Sequence, residues 1–562
     1  MAKRPRQIAP ACCTPETLTN RRPDGDTSLT TCAQPSRTLP WSDSTREDTM
    51  SVQLSSPGMS RAARPRSVDR PYVLARAIAA TLSASLVLSL GGCATPMLDS
   101  TVAVPDQFAA APASETASEV AWWESYGDPV LSDLVRRAER ENRDIKIAVE
   151  RVRAAQAGET ISRSWLMPSF GVVGSRGDLR TDYSGRAQEP VPDIKSTSAG
   201  VGVAWEIDLS GRLRAGASAA AADRMATEDN VRGVRLLVLT EVASNYFTLV
   251  GALQQLETVR AISAAQDETL RLVTARQRVG VASAFDVERA RTEAESAHAA
   301  IPPLETLAAA SRHHIAVLIG SQAADAATIK PWDGSATVPD IQPGQPAELL
   351  QRRPDLLASR AQLQAANFRR QQAAAEWFPR LFVGALFGRQ STDVNSADLG
   401  SARFSQAAGL LTMPIFDWGR TRAINDVAGS AQKEALLRYE DAIVRALEDV
   451  ENALVALRGQ RNRTDSLQSA AASADAALGR AQSLYDRGQI DLLPLLDAQR
   501  TRLNVRVGAN DSNTRLLLAT IDLYKALGGG WQAFEPVAAP KSANADRPPH
   551  SGTQASTKED QT

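Results

Sequence analysis

The chain is written twice, and each copy contains a very long run without proline. Arg212 to Val279 and Arg420 to Arg487 are both 68 residues free of proline, and they lie 208 positions apart. The match extends to side chains. "EVASNYFTLVG" (Glu241–Gly251) falls on "DVENALVALRG" (Asp449–Gly459), and Gly211-Arg212 on Gly419-Arg420. Earlier in each half, "DIKIAVERVRAAQA" (Asp144–Ala157) matches "DLLASRAQLQAANF" (Asp355–Phe368) at an offset of 211, as does Pro168 with Pro379. Internal repetition of this length fixes the architecture before any other signal is weighed.

Within the first run Leu239, Val242, Tyr246, Leu249, Leu253 and Leu256 step by three and four. Leu447, Val450, Leu454 and Leu457 do so in the second. That is the spacing of a helix–helix seam. At 1.5 Å per residue each run spans roughly 100 Å as a helix, several times the ~30 Å core of a bilayer. Charges scattered along both runs argue against burial in lipid. The helices alone are equally compatible with a structural coiled-coil rod.

The segments before each long helix alternate instead. In "SAGVGVAWEIDL" Val201, Val203, Trp205, Ile207 and Leu209 interleave with Gly200, Gly202, Ala204, Glu206 and Asp208, the period of a half-buried strand. "FSQAAGLLTMPIFD" (Phe404–Asp417) takes its place in the second half. Two further candidate strands follow the matched prolines, over Pro168–Gly177 and Pro379–Gln390. About ten alternating residues suit a tilted membrane strand and equally a soluble sandwich. In lipid, however, an open sheet edge leaves backbone groups unpaired and closure takes at least about eight strands. Four strands can close a barrel only when several copies share it.

A second constraint lies upstream. Ala77 to Gly92 is an uncharged run preceded by Arg61, Arg64, Arg66, Arg70 and Arg76 and ended by Leu90-Gly91-Gly92-Cys93. The run has the layout of a secretory signal and is too short to span a membrane. It resembles a bacterial lipobox, so that Cys93 carries a covalent lipid (an N-acyl diglyceride) and becomes the first mature residue. Residues 1–58 are rich in Arg, Pro, Ser and Thr with no apolar period, and read as lying upstream of the true start at Met59 or Met50. The expected layout is then 59–92 signal peptide, 93–120 lipidated linker, 121–325 first repeat, 326–535 second repeat and 536–562 disordered tail.

Little else in the chain bears chemistry. Three of the four cysteines, Cys12, Cys13 and Cys32, precede the signal, which leaves no disulfide or thiolate metal site. There are only four histidines; His313 and His314 are adjacent and point apart on a helix. No metalloprotease, nucleophile-elbow or P-loop motif is present. A formal net charge of −1 gives no basic footprint for nucleic acid. A non-enzymatic protein without metal or soluble cofactor is expected.

Together the lipobox, the tandem repeat, the strand pairs and the long helices resemble an outer membrane factor, the TolC-like lipoproteins of the NodT or OprM type. The resemblance runs over the whole mature chain and is carried by "WWESYGDPVLSDLV" (Trp122–Val135), "WEIDLSGRLRAG" (Trp205–Gly216), "LLQRRPDL" (Leu349–Leu356), "PIFDWGRTRA" (Pro414–Ala423), "LLDAQR" (Leu495–Arg500) and "LYKALGGGW" (Leu523–Trp531). It implies a trimer whose four strands per chain form a 12-stranded β-barrel in the outer membrane. A long α-helical barrel continues it across the periplasm of a Gram-negative bacterium. It also implies partners: a periplasmic adaptor and an inner-membrane resistance-nodulation-division pump, with small molecules or drugs as cargo. A type I protein-secretion or heavy-metal efflux duct is the alternative on the same fold.

The resemblance also places function at the turns of the helical hairpins, "RVGVASAFDV" (Arg278–Val287) and "RGQIDLLPLLDAQ" (Arg487–Gln499). By motif, Asp497 and Leu493 form the pore gate. Three such carboxylates ~6 Å apart repel by roughly 3 kcal/mol per pair at an effective dielectric near 20, so the ring attracts cations. Pro494 departs from relatives that carry a second acid there, which weakens this preference. Asp286, Tyr485 and Arg487 are implied tip contacts that hold neighbouring helices closed. Gly280, Ser283, Gly488 and Asp491 are implied adaptor-docking positions.

Overall fold

A computed structural model describes residues 95–110, 120–180, 192–332, 334 and 336–535. The lipobox with Cys93, the segments before it and the tail after 535 lie outside the described residues, so those expectations are not addressed by the fold.

Each repeat opens with capped helices. Asp128 accepts from the amides of Val130 and Leu131 (2.8 and 3.0 Å) to start α1 (Pro129–Glu141), whose first residue is a proline suited to that position. Asn142 does the same for α2 (Arg143–Ser164), accepting from Asp144 and Ile145. Strands β1 (Ser169–Leu179) and β2 (Ile194–Ile207) follow, and then α3 (Arg212–Arg278), an unbroken helix of 67 residues. Gly211 enters it with φ of 78°, and the carboxylate of Asp208 bridges back to the amides of Leu213 and Arg214. The chain returns along α3 through α4 (Ala284–Ala299) and α5 (Ile301–Leu318), which are separated at Ala300 just ahead of Pro302 and Pro303. The second repeat is α6 (Pro354–Ala374), β3 (Arg380–Val394), β4 (Ala397–Thr412), α7 (Arg420–Asp486) and α8 (Leu492–Ala526). Here Gly419 (φ 84°) and Asp417 repeat the entry to the long helix, and the return helix α8 runs 35 residues without a joint.

The four strands form one antiparallel sheet in the order β1-β2-β3-β4. Val201 pairs with both Val172 and Phe387, and Val383 with Gly409. Asn395 and Ser396, at φ of 50° and 67°, make the two-residue turn between β3 and β4 that matches strand twist. The strands, at 11 to 16 residues, exceed the ten expected. The fourth ends at Thr412 rather than running to Asp417: Pro414 has no amide to offer a ladder, and Asp417 turns to cap α7. Arg212 ties the sheet to the helices, pairing with Glu206 at 2.7 Å and lying 3.8 Å from Glu376.

The main core sits midway along the long helices. Tyr246, Phe247, Leu249, Leu239 and Val242 of α3 are buried against Trp122, Tyr126, Leu131, Ile521 and Tyr524. Trp122 stacks on Tyr524 at 5.1 Å, and the Tyr246 hydroxyl donates to Asp128 at 2.6 Å. The seam read from sequence is thus a genuine core face, and Val450, Leu454 and Leu457 of α7 belong to the same cluster. An 18-residue window of α3 reaches a mean hydropathy of 1.5, enough by composition to cross a bilayer, but 61% of it is buried against the rest of the chain. Its apolar character is accounted for by this core.

One glycine reports how closely α3 and α8 approach. A Cβ placed on Gly251 would lie 2.1 Å from Oγ1 and 2.7 Å from Cγ2 of Thr514. Replacing Gly251 by Val is expected to destabilise the protein by about 1–3 kcal/mol or more through overpacking, read as a lowered melting temperature in detergent. Combining it with Thr514→Ala should recover part of the loss.

Candidate gate at the helical tip

The two hairpin turns are built alike. After α3, the amide of Val281 donates to the Arg276 carbonyl and that of Gly280 to Gln277, both at 2.9 Å. After α7, Gln489 donates to Leu484 and Gly488 to Tyr485, again at 2.9 Å. Each is a helix end closed by a left-handed glycine, with φ of 79° at Gly280 and 70° at Gly488. Ser283 then starts α4 through a reciprocal cap: its hydroxyl accepts from the Asp286 amide, and the Asp286 carboxylate accepts from the Ser283 amide, both at 3.1 Å. Asp286 is therefore engaged inside its own turn. Asp491 holds the corresponding position of α8 without a side-chain cap bond.

A small core binds the two turns into one tip, formed by Val273, Val287, Ala290, Tyr485, Leu492, Leu495 and Leu496. Tyr485 is the keystone. Its ring is buried and carries the Arg276 guanidinium 4.3 Å above its centre, joining the end of α7 to the end of α3. Arg487 is the residue that terminates α7. Leu493 and Asp497, one turn apart, lie together on the exposed side of α8, flanking the buried Leu492, Leu495 and Leu496. Leu493 is 53% exposed despite its size. Pro494 sits in the first turn of α8, where a missing amide costs no helical bond.

Two features of the tip carried no clear sequence signal. Asp497 accepts a hydrogen bond from Arg500 at 2.7 Å, so the acid expected at the gate is ion-paired within its own helix. Above the tip core, Asp475 of α7 takes Arg502 at 2.7 Å and also Arg506, both from α8. Gln499 donates to Thr269 of α3 at 3.0 Å beside this pair. Hydrogen bonds from the two guanidiniums hold the Asp475 carboxyl below the ordinary carboxylate range. Because its folded-state pKa is depressed, the stabilisation is complete above the unfolded value of about 4 and is lost as pH falls through the folded value. Limited proteolysis is therefore expected to cut the α7–α8 hairpin faster below about pH 4 than at neutrality. An Asp475→Asn variant should be more readily cut at neutral pH and show less of this acid response.

A family model described as "Outer membrane efflux protein" matches residues 134–321 and 346–529, one match for each repeat. The chain is 33% identical to the pyoverdine export outer membrane protein OpmQ of Pseudomonas aeruginosa over 461 residues, covering 80% of this chain and 96% of that one. It is 32% identical to the outer membrane protein OprJ of the same species, covering 79% and 95%. Among solved structures, the outer-membrane channel OprN superposes with a TM-score of 0.73 at 28% identity, covering 78% of this chain and 99% of that one. Repeats, sheet, paired long helices and matched sequence agree: the chain belongs to the outer membrane efflux protein family.

Proposed function

We infer that three copies of this chain close into a single tube that serves as the outer-membrane exit duct of a tripartite efflux system. The observation that carries this reading is the protomer's sheet: four strands with a free edge at each side, continuous with helices of about 100 Å. A bilayer does not tolerate such edges, and three sheets of four strands remove them. The helices reach from the barrel into the periplasm, toward an adaptor and an inner-membrane pump of the resistance-nodulation-division type. Small molecules are the cargo. Among the relatives, OpmQ is a pyoverdine export protein and CusC of Escherichia coli, 27% identical, belongs to a cation efflux system.

The tube does its work by gating and docking. Leu493 and Asp497 project from the uncovered face of α8 and narrow the periplasmic mouth. Asp497 brings Arg500 with it, so the ring presents acid–base pairs rather than bare carboxylates, and cation attraction is correspondingly mild. The glycine turns at Gly280 and Gly488, with Ser283 and Asp491 beside them, offer the adaptor two similar small-residue landing sites; a Cβ at either glycine would meet nothing within 4 Å. Asp286, Tyr485 and Arg487 shape those turns. A lipid on Cys93 fastens each chain to the membrane.

In planar bilayers the purified protein is expected to conduct weakly. Leu493→Ala combined with Asp497→Ala should raise single-channel conductance several-fold. Unchanged conductance would remove the gate assignment, and no conductance from either form would remove the duct. Palmitate labelling of cells expressing the full chain should be lost in Cys93→Ala and kept in Cys32→Ala.

A further inference from the structure

The repeats obey two fixed offsets in three dimensions as well as in sequence. Helices α3 and α7 begin and end 208 residues apart; α2 and α6, and likewise β1 and β3, begin 211 apart. Sheet register follows the same rule. Val172 faces Val201 in the first hairpin, and Val383 faces Gly409 in the second, each shifted by its own offset. Contacts made between the repeats therefore form a template. The second repeat covers the first through β3 on β2, α6 on α3 and α8 on α3. By the same operation β4 and α7 should be covered by another β1, α2 and α5, which no described element of this chain supplies.

The uncovered surfaces carry the marks of that missing neighbour. Val427, Leu437, Val444 and Val455 of α7 are each more than half exposed, whereas their counterparts in α3, Ala219, Asp229, Leu236 and Phe247, are buried. Gly251 is filled by Thr514, but its counterpart Gly459 faces open space. The counterpart of Thr514 is Thr306, and both hydroxyls donate to the carbonyl four residues back (Asn510 and Pro302), so the two threonines share one side-chain posture. Where Gln372 closes on Gly216 within the chain, the template brings together Ile161 and Ile424, both exposed. Where Pro354 meets Gly233, it brings together Arg143 and Asp441, of opposite charge.

We propose that a second copy of this chain seats its β1–α2–α5 face on the β4–α7 face in the register the repeats dictate. Thr412 pairs with Val173 of the second copy, Leu411 with its Gly174 and Gln406 with its Leu179. Ile424 packs on its Ile161, Asp441 pairs with its Arg143 and Gly459 receives its Thr306. Below the ladder, Met413 and Ile415 meet Val172 and Phe170 of that copy, all four of which are more than half exposed in the lone chain. The shift keeps every side chain on its own face of the sheet, as a one-residue slip does not. This assignment rests on the closed-barrel reading and adds to it which residues meet.

Paired cysteines test it in the full chain, with Cys12, Cys13 and Cys32 changed to Ser and Cys93 kept. Under mild oxidation in isolated outer membranes, Leu411→Cys with Gly174→Cys is expected to cross-link neighbouring copies about tenfold more than Leu411→Cys with Val172→Cys or with Arg176→Cys, because a disulfide tolerates little displacement. Separately, Gly459→Val should lower the heat stability of the oligomer, and adding Thr306→Ala should restore part of it. A conducting oligomer that cross-links best through a shifted pair, or through none of the three, overturns the register and leaves the barrel intact. A chain that stays monomeric by light scattering instead removes the closed-barrel reading itself.

Discussion

Backbone hydrogen bonding in a medium without water governs this molecule. A strand edge within a bilayer has no solvent to satisfy its amides and carbonyls, and each unsatisfied group costs several kcal/mol. The protomer has two such edges, on β1 and β4. Everything else in the chain is compatible with that requirement and supports it. The long helices extend the sheet as a wall, Arg212 with Glu206 and Glu376 locks wall to sheet, and the aromatic core around Trp122 and Tyr246 holds the wall at mid-height.

Duplication is an economical answer to the same requirement. A repeat whose right side fits the left side of the next repeat can propagate until it closes. Here one junction is made covalently, inside the chain, and can be read directly. Gly251 against Thr514 and the β2–β3 ladder are that junction's signature. The exposed apolar residues on α7 are therefore not a solubility defect. They are the same contact surface seen without its counterpart.

Sequence patterning conveyed the large elements well, because their physical causes are local. Absence of proline over 68 residues leaves a helix nothing to stop it, and Gly280 and Gly488 end both helices through backbone geometry that glycine adopts readily. The strands run longer than their alternating stretches because polar residues such as Lys195, Ser196 and Thr197 extend the ladder where alternation of hydrophobicity fades. The tip was legible only in part. Leu493 and Asp497 stand out only through the resemblance of their motif, and no spacing in the sequence marks the pairing of Arg500 with Asp497 or of Asp475 with Arg502 and Arg506. The partner of Tyr485 is Arg276 in the other repeat, a pairing created by folding and not by spacing.

The joint at Ala300 sets the two return limbs apart mechanically. An unbroken helix such as α8 flexes as an elastic rod, so a displacement at its first turn is felt along its whole length. Pro302 and Pro303 offer no amides to bridge α4 to α5, so the first limb lacks backbone bonds across a joint that its twin does not have. The two limbs that leave the glycine turns are thus inequivalent, one interrupted near its middle and the other a single continuous rod.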